Sequence, residues 1–164
     1  MMNSELEIIA NPDEPTILSR RVINAPRALV WDLFTKAEHL KRWWGPRWLT
    51  MVSCEVDLRV GGSYRFVLRA PDGLECSFRG EYHEIIPQEK VVNTFVFEPL
   101  PDQGALQTLT MEEVHGRTIV STITLHQSVA NRDGHLASGM EAGMRDTYAR
   151  LDELLAELQN QTSV

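Results

Sequence analysis

The sequence predicts an α+β fold in which a curved antiparallel sheet wraps one long C-terminal helix. This expectation rests on three features: one strong helical stripe at the end of the chain, a long period-two stretch before it, and a strand plus two short helical segments at the front. In the final stripe, from Ser138 to Leu158, Met140, Gly143, Met144, Thr147, Tyr148, Leu151, Leu154, Leu155 and Leu158 fall within an arc of roughly 140°. Charged residues fill the remainder. Ser138 followed by Glu141 reads as a capping box and sets the expected start. At about 1.5 Å per residue the helix spans about 30 Å, enough to cross a sheet. Its buried stripe changes character along its length. The second half is leucine, which packs in defined rotamers; the first half is methionine, glycine, threonine and tyrosine, which can yield to a guest or simply fill a core.

Earlier in the chain, residues 1–15 are acidic, carry Pro12 and Pro15, and read as a mobile arm. Residues 16–160 read as one domain, with a short tail at 161–164. Thr16 to Ile23 is β-branched and partly alternating, so it is the first strand. Asn24-Ala25-Pro26 breaks it and predicts a helix capped by Asn24, with Val30, Leu33, Phe34 and Ala37 on one face. A second short helix, Glu38 to Trp44, stops at Gly45-Pro46. Strands follow at Thr50–Asp57, Ser63–Arg69, Cys76–His83, Val91–Glu98, Leu106–Val114 and Arg117–His126, separated by Gly61-Gly62, Pro71-Asp72-Gly73, Pro87, a loop with Pro99, Pro101 and Gly104, and His115-Gly116. Gln127 to Ala137 reads as a loop. A sheet of this kind has one face to cover, and the long helix is the element able to cover it, which makes the arrangement a helix grip.

Composition narrows function. A chain with 43% hydrophobic and 24% charged residues has the makings of a folded core. A net charge of −7 opposes binding to nucleic acid, whose affinity comes largely from lysine and arginine. No apolar run approaches the ~20 residues of a membrane span, and the acidic N-terminus lacks the basic start of a signal peptide, so a cytoplasmic location is expected. Cys54 and Cys76 lack C-x-x-C spacing and read as reduced, buried thiols.

Several motifs, taken in order, resemble one family. They are R-x-x-x-A-P-x-x-x-V-W from Arg21 to Trp31, W-W-G-P from Trp43 to Pro46, D-L-R-V-G-G-S-Y from Asp57 to Tyr64, Asp72-Gly73, F-x-G-x-Y from Phe78 to Tyr82, and G-M-E-A-G-M with L-D-E-L-L near the end. The chain is similar, over residues 16 to 158, to the SRPBCC or START-like superfamily, in the branch named after the C-terminal domain of the activator of heat-shock protein 90 ATPase. The resemblance implies a seven-stranded sheet gripping the C-terminal helix around a cavity that in relatives holds an apolar or aromatic molecule. It implies little about chemistry, because relatives range from carriers to cyclases to co-chaperone domains.

On this topology the candidate cavity residues are Phe34, Leu40, Trp43 and Trp44 at the helical end, Tyr64, Phe66, Phe78, Tyr82, Phe95 and Phe97 from the sheet, and Met140, Met144 and Tyr148 from the long helix. The same set also describes a filled aromatic core. Lys41 to Trp48, KRWWGPRW, mixes tryptophan with basic residues and suits either a protein-binding spot or a trough closed by Trp43 or Trp44 with arginines at its rim. The five histidines show no H-x-x-x-H pairing, so no metal and no cofactor is expected. Three readings stay open. One is a carrier of a small hydrophobic molecule; a second is an interaction module, either co-chaperone-like or a homodimer. A third is a cofactor-free, cyclase-like enzyme using Tyr82, Glu84 or His126.

Overall fold

The computed structural model describes residues 5–162. Residues 1–4, 163 and 164 lie outside it, and with them part of the expected arm and tail. The strands are β1 (Glu7–Ile9), β2 (Thr16–Ile23), β3 (Thr50–Val56), β4 (Ser63–Arg69), β5 (Glu75–Ile86), β6 (Lys90–Phe97), β7 (Ala105–Val114) and β8 (Arg117–Leu125). The helices are α1 (Arg27–Thr35), α2 (Ala37–Trp43), α3 (Val129–Ala137) and α4 (Met140–Thr162). All strand pairs are antiparallel, in the order β1-β2-β8-β7-β6-β5-β4-β3.

The α+β helix-grip expectation holds, with corrections of detail. The sheet has eight strands rather than seven. The extra one, β1, comes from the stretch read as an arm: Ile8 packs on the core, and Ile9 lies opposite Leu18. Buried Arg132 of α3 fixes the chain beyond β1, donating to the carbonyls of Asn11 and Glu14 at 2.7 Å each and to Thr16 at 3.3 Å. One guanidinium thereby ties together three carbonyls around the β1–β2 connection.

The stretch expected as a loop before the long helix contains α3, capped by Ser128, whose hydroxyl accepts from the Asn131 amide at 3.0 Å. Ser138 does not form a capping box. Its hydroxyl closes the end of α3 by donating to the His135 carbonyl at 2.6 Å, and Gly139, at φ 85°, supplies the left-handed residue that separates the two helices. Helix α4 therefore begins at Met140. Nor does Asn24 cap α1; Pro26 occupies that place, and the Arg27 amide donates instead to the Glu113 carboxylate of β7 at 2.7 Å.

The core lies between the concave face of the sheet, α1 and α2, and the second half of α4. Ile23, Val30, Leu33, Leu68 and Leu151 are all fully buried there. Segment 41–48 is bolted to α4 from outside: Arg150 donates to the carbonyls of Gly45 at 2.7 Å and Arg42 at 3.0 Å, Arg47 pairs with Asp146 and Glu153, and Arg42 pairs with Glu157.

Candidate functional site

Antiparallel register turns alternate residues of each strand into rows on the concave face. One row is Cys54, Phe66, Phe78 and Phe97, running across β3 to β6. Phe78 lies 5.2 Å from Phe97 and 5.4 Å from Phe95, ring centroid to centroid. The next row places Tyr64 opposite Gly80. A Cβ at Gly80 would collide with the Thr94 carbonyl and the Tyr64 ring, so the missing side chain is what lets Tyr64 lie across β5. From there its hydroxyl donates to the Thr94 carbonyl at 2.7 Å and accepts from the Asn93 amide at 3.1 Å. This accounts physically for the F-x-G-x-Y motif.

The two adjacent tryptophans part company at the end of α2. Trp43, still helical, is 2% exposed; it packs 4.8 Å from Phe34 and 6.4 Å from Tyr148, and its indole N–H donates to the Leu33 carbonyl. Trp44 has left the helix with extended backbone, so its ring swings to the sheet, 4.8 Å from Phe66 and 5.2 Å from Phe78. The thirteen predicted residues thus divide. Phe34, Leu40, Trp43 and Tyr148 pack at the closed, helical end, whereas Trp44, Tyr64, Phe66, Tyr82, Phe78, Phe95 and Phe97 form an aromatic wall along the sheet. Within the wall Trp44, Phe78, Phe95 and Phe97 are half-buried, as are Met140 and Met144 on α4.

Beyond Phe95 the concave face becomes polar. Asn93, Gln107 and Thr124 form one row across β6, β7 and β8, ending at Ile17 of β2. The adjoining row is Val91, Leu109, Thr122 and Ser19. On the other side Phe95 lies opposite Ala105, and His126 follows two residues after Thr124 on the same face. His126 and His135 of α3 meet nitrogen to nitrogen at 3.1 Å, and the His135 ring lies 6.4 Å from Phe95, so α3 roofs this end. Burial, then the neighbouring His135 and Arg132, holds His126 down at about 4; burial also lowers His135. Both rings are neutral at pH 7. Among the described residues no third ligand joins them in a metal-binding group.

The polar strip and His135 were not among the predicted residues, and His126 was named only for acid–base chemistry. The available signal was parity: His126, Thr124 and Thr122 share the face of buried Val120, and Gln107 shares that of buried Met111.

Of the groups considered for acid–base chemistry, Tyr82 and His126 face inward, while Glu84 follows an irregularity in β5 and points outward to an ion pair with Lys90. Burial pushes the Tyr64 and Tyr82 hydroxyls above the ordinary phenol range, and the Tyr148 hydroxyl to about 12. Cys54 and Cys76 are free; burial raises Cys54 to about 11, which keeps it a thiol. Two open hollows lie apart from the aromatic wall. One, of about 500 Å³, is lined by Trp31, Thr35, Lys36 and Leu58 among others. The second, of about 350 Å³, lies between Leu6, Arg21, Arg145 and Tyr148.

A sequence profile of the family described as "activator of Hsp90 ATPase homolog 1-like protein" matches residues 24–156. The chain belongs to this family. Solved structures similar to this activator-homolog-like chain include a Rhodobacter sphaeroides protein, with 24% identity and a TM-score of 0.86, covering 93% of this chain and 99% of that one. A Nitrosomonas europaea protein is similar at 23% identity and a TM-score of 0.81, with coverage of 93% and 99%. A Chromobacterium violaceum protein shares 26% identity at a TM-score of 0.73, with coverage of 85% and 96%. No curated protein matches the sequence. Among the described residues of this family member, no helix is long and apolar enough to cross a membrane.

Proposed function

We propose that the protein binds a small apolar or aromatic molecule between the aromatic wall of the sheet and the first half of α4. One observation carries this reading: Trp44, Phe78, Phe95 and Phe97, which a core would enclose, stay half-buried next to one another on a concave face. Apolar concave surface with a few polar groups beside it is the usual chemistry of a ligand site. Binding is favoured over acid–base catalysis because Glu84 faces away from the trough and burial disfavours the Tyr82 phenolate, which leaves His126 alone of the three candidates.

The test is a titration with naphthalene, followed by tryptophan fluorescence. Saturable quenching that disappears in Trp44→Phe supports the reading. Quenching that is absent, or that persists in Trp44→Phe, removes it. Native mass spectra of gently purified protein add a second readout, since a retained ligand is lost on denaturation.

An interaction role has its own supporting observation. On the convex face Ile9, Leu18 and Ile123 are directly opposed across β1, β2 and β8, with Leu125 beside them; Ile9, Ile123 and Leu125 are 44–48% exposed. We read this aliphatic row as a site for a second copy of the chain. Light scattering reporting a dimer that Ile123→Lys dissociates supports it, and a monomer at high concentration rejects it. A chaperone partner is suggested by the family description alone, and a pull-down with Hsp90 decides that point.

A further inference from the structure

We propose that the molecule held in the trough is an uncharged aromatic compound with a hydrogen-bonding substituent, such as a phenol or an aryl amide, whose polar group docks on Asn93, Gln107, Thr122, Thr124 and Ser19. The proposal rests on the reading of the trough as a ligand site and specifies what that site selects.

The first argument is placement. These residues occupy adjacent cells of one grid on the concave face, immediately beyond Phe95. A flat ring lying on the Phe78, Phe95 and Phe97 wall therefore directs a substituent along β6 towards Asn93 and Gln107. A strand spacing of about 4.8 Å puts Gln107 and either Asn93 or Thr124 within the reach of one such group.

The second argument is unused hydrogen-bonding capacity. Ser19 is only 4% exposed and Thr124 6%. Gln107 spends one amide N–H on the Thr124 hydroxyl, at a long 3.4 Å. Its carbonyl oxygen, and the Ser19 and Thr122 hydroxyls, have no hydrogen bond among the described residues. Yet no fully buried side-chain polar atom lacks a partner there. These groups therefore keep some contact with solvent, although they sit on the inner side of the sheet. A purely apolar occupant would strip them of water and return nothing. An occupant with a hydroxyl or amide replaces those bonds.

The third argument is charge. The strip contains no ionised side chain, and the adjoining histidines are neutral at pH 7. The nearest arginines on these elements are already committed. Arg21 is paired with Asp152 at 2.5 Å and donates to the Val22 carbonyl, while Arg132 spends its donors on backbone carbonyls and Asp133. A carboxylate or an ammonium entering here would bring a charge with no partner, which is costly away from water.

Calorimetric titration with naphthalene, 2-naphthol and 2-naphthoate separates the cases. The expected result is 2-naphthol binding at least about tenfold more tightly than either of the others, and Gln107→Leu bringing its affinity down to within about twofold of that of naphthalene. Should Gln107→Leu fail to fold, Ser19→Ala, which removes one oxygen, is expected to narrow the same ratio. Naphthalene binding as tightly as 2-naphthol, or 2-naphthoate binding most tightly, overturns this inference and leaves the trough reading standing. If none of the three binds, the trough reading falls and takes this inference with it.

Discussion

The two halves of α4 face the same sheet and do different work. Beyond Tyr148, Leu151, Leu154 and Leu155 are each at most 4% exposed and lie among Ile23, Val30 and Leu33. Before it, Met140, Gly143, Met144 and Thr147 are half-buried. The inner face of the sheet also changes, from half-buried aromatics at Phe78, Phe95 and Phe97 to a strip of amide and hydroxyl groups at Asn93, Gln107 and Thr124. The lesson is that one continuous helix can be enclosed at one end and only half-buried at the other. Stability is then concentrated where the leucines are, and the methionine end is left to adapt.

The sharpest way to break this contrast is to truncate one side chain in each half. Leu151→Ala is expected to cost about 2–5 kcal/mol in urea denaturation, because a fully enclosed side chain leaves a cavity. Met144→Ala is expected to cost about 1 kcal/mol, since that side chain is only half-buried. Equal costs would mean that the two halves are the same kind of core.

A smaller effect is expected where Tyr64 reaches across β5 to β6. Tyr64→Phe removes the bond to the Thr94 carbonyl and the acceptor for Asn93, and should cost about 1–2 kcal/mol. Recovery of wild-type stability in that variant would show that the bridge contributes nothing.

Acid distinguishes the open end in another way. His126 is held at about 4 in the folded state, against the ordinary 6.5, so the unfolded chain binds the proton first as pH falls. Its contribution is fully present above pH 6.5 and is lost progressively down to about pH 4. The denaturation midpoint of the wild type should therefore fall more steeply over that interval than that of His126→Asn. Parallel profiles would contradict the buried, neutral state of this ring. The smallest change is expected from Arg145→Ala, which breaks an exposed ion pair with Glu141 at 3.4 Å and should move stability by no more than about 0.5 kcal/mol.

Much of the fold was legible because its signals are periodic. The α4 stripe, the alternation from Ser63 to Arg69 and the turn at Pro71-Asp72-Gly73 all state their structure locally. What was missed is non-local or weakly apolar. Strand β1 has three residues and is defined by pairing with β2. Helix α3 contains Asn131, Asp133 and Gly134, and its only buried residue is Arg132, so no apolar stripe announces it. The S-x-x-E pattern at Ser138 was read as a helix start because the same serine suits a helix end, and only the left-handed Gly139 decides between them. The aromatic residues were found by type. The polar strip was not, since threonine and glutamine in a strand look the same whether they face water or an enclosed space.

The pairing of β2 with β8 has a consequence for how the chain comes to fold. Arg20 and Ser121, neighbours in the sheet, are 101 residues apart in sequence. During synthesis the first long strand must wait for the last, while the hairpins from β3 to β8 close over short spans. In pulse-labelled exchange, amides of β2 should therefore gain protection after those of β4 to β7. Until β8 is made, β2 has only the three-residue β1 beside it, and the newborn chain carries its own unsealed edge.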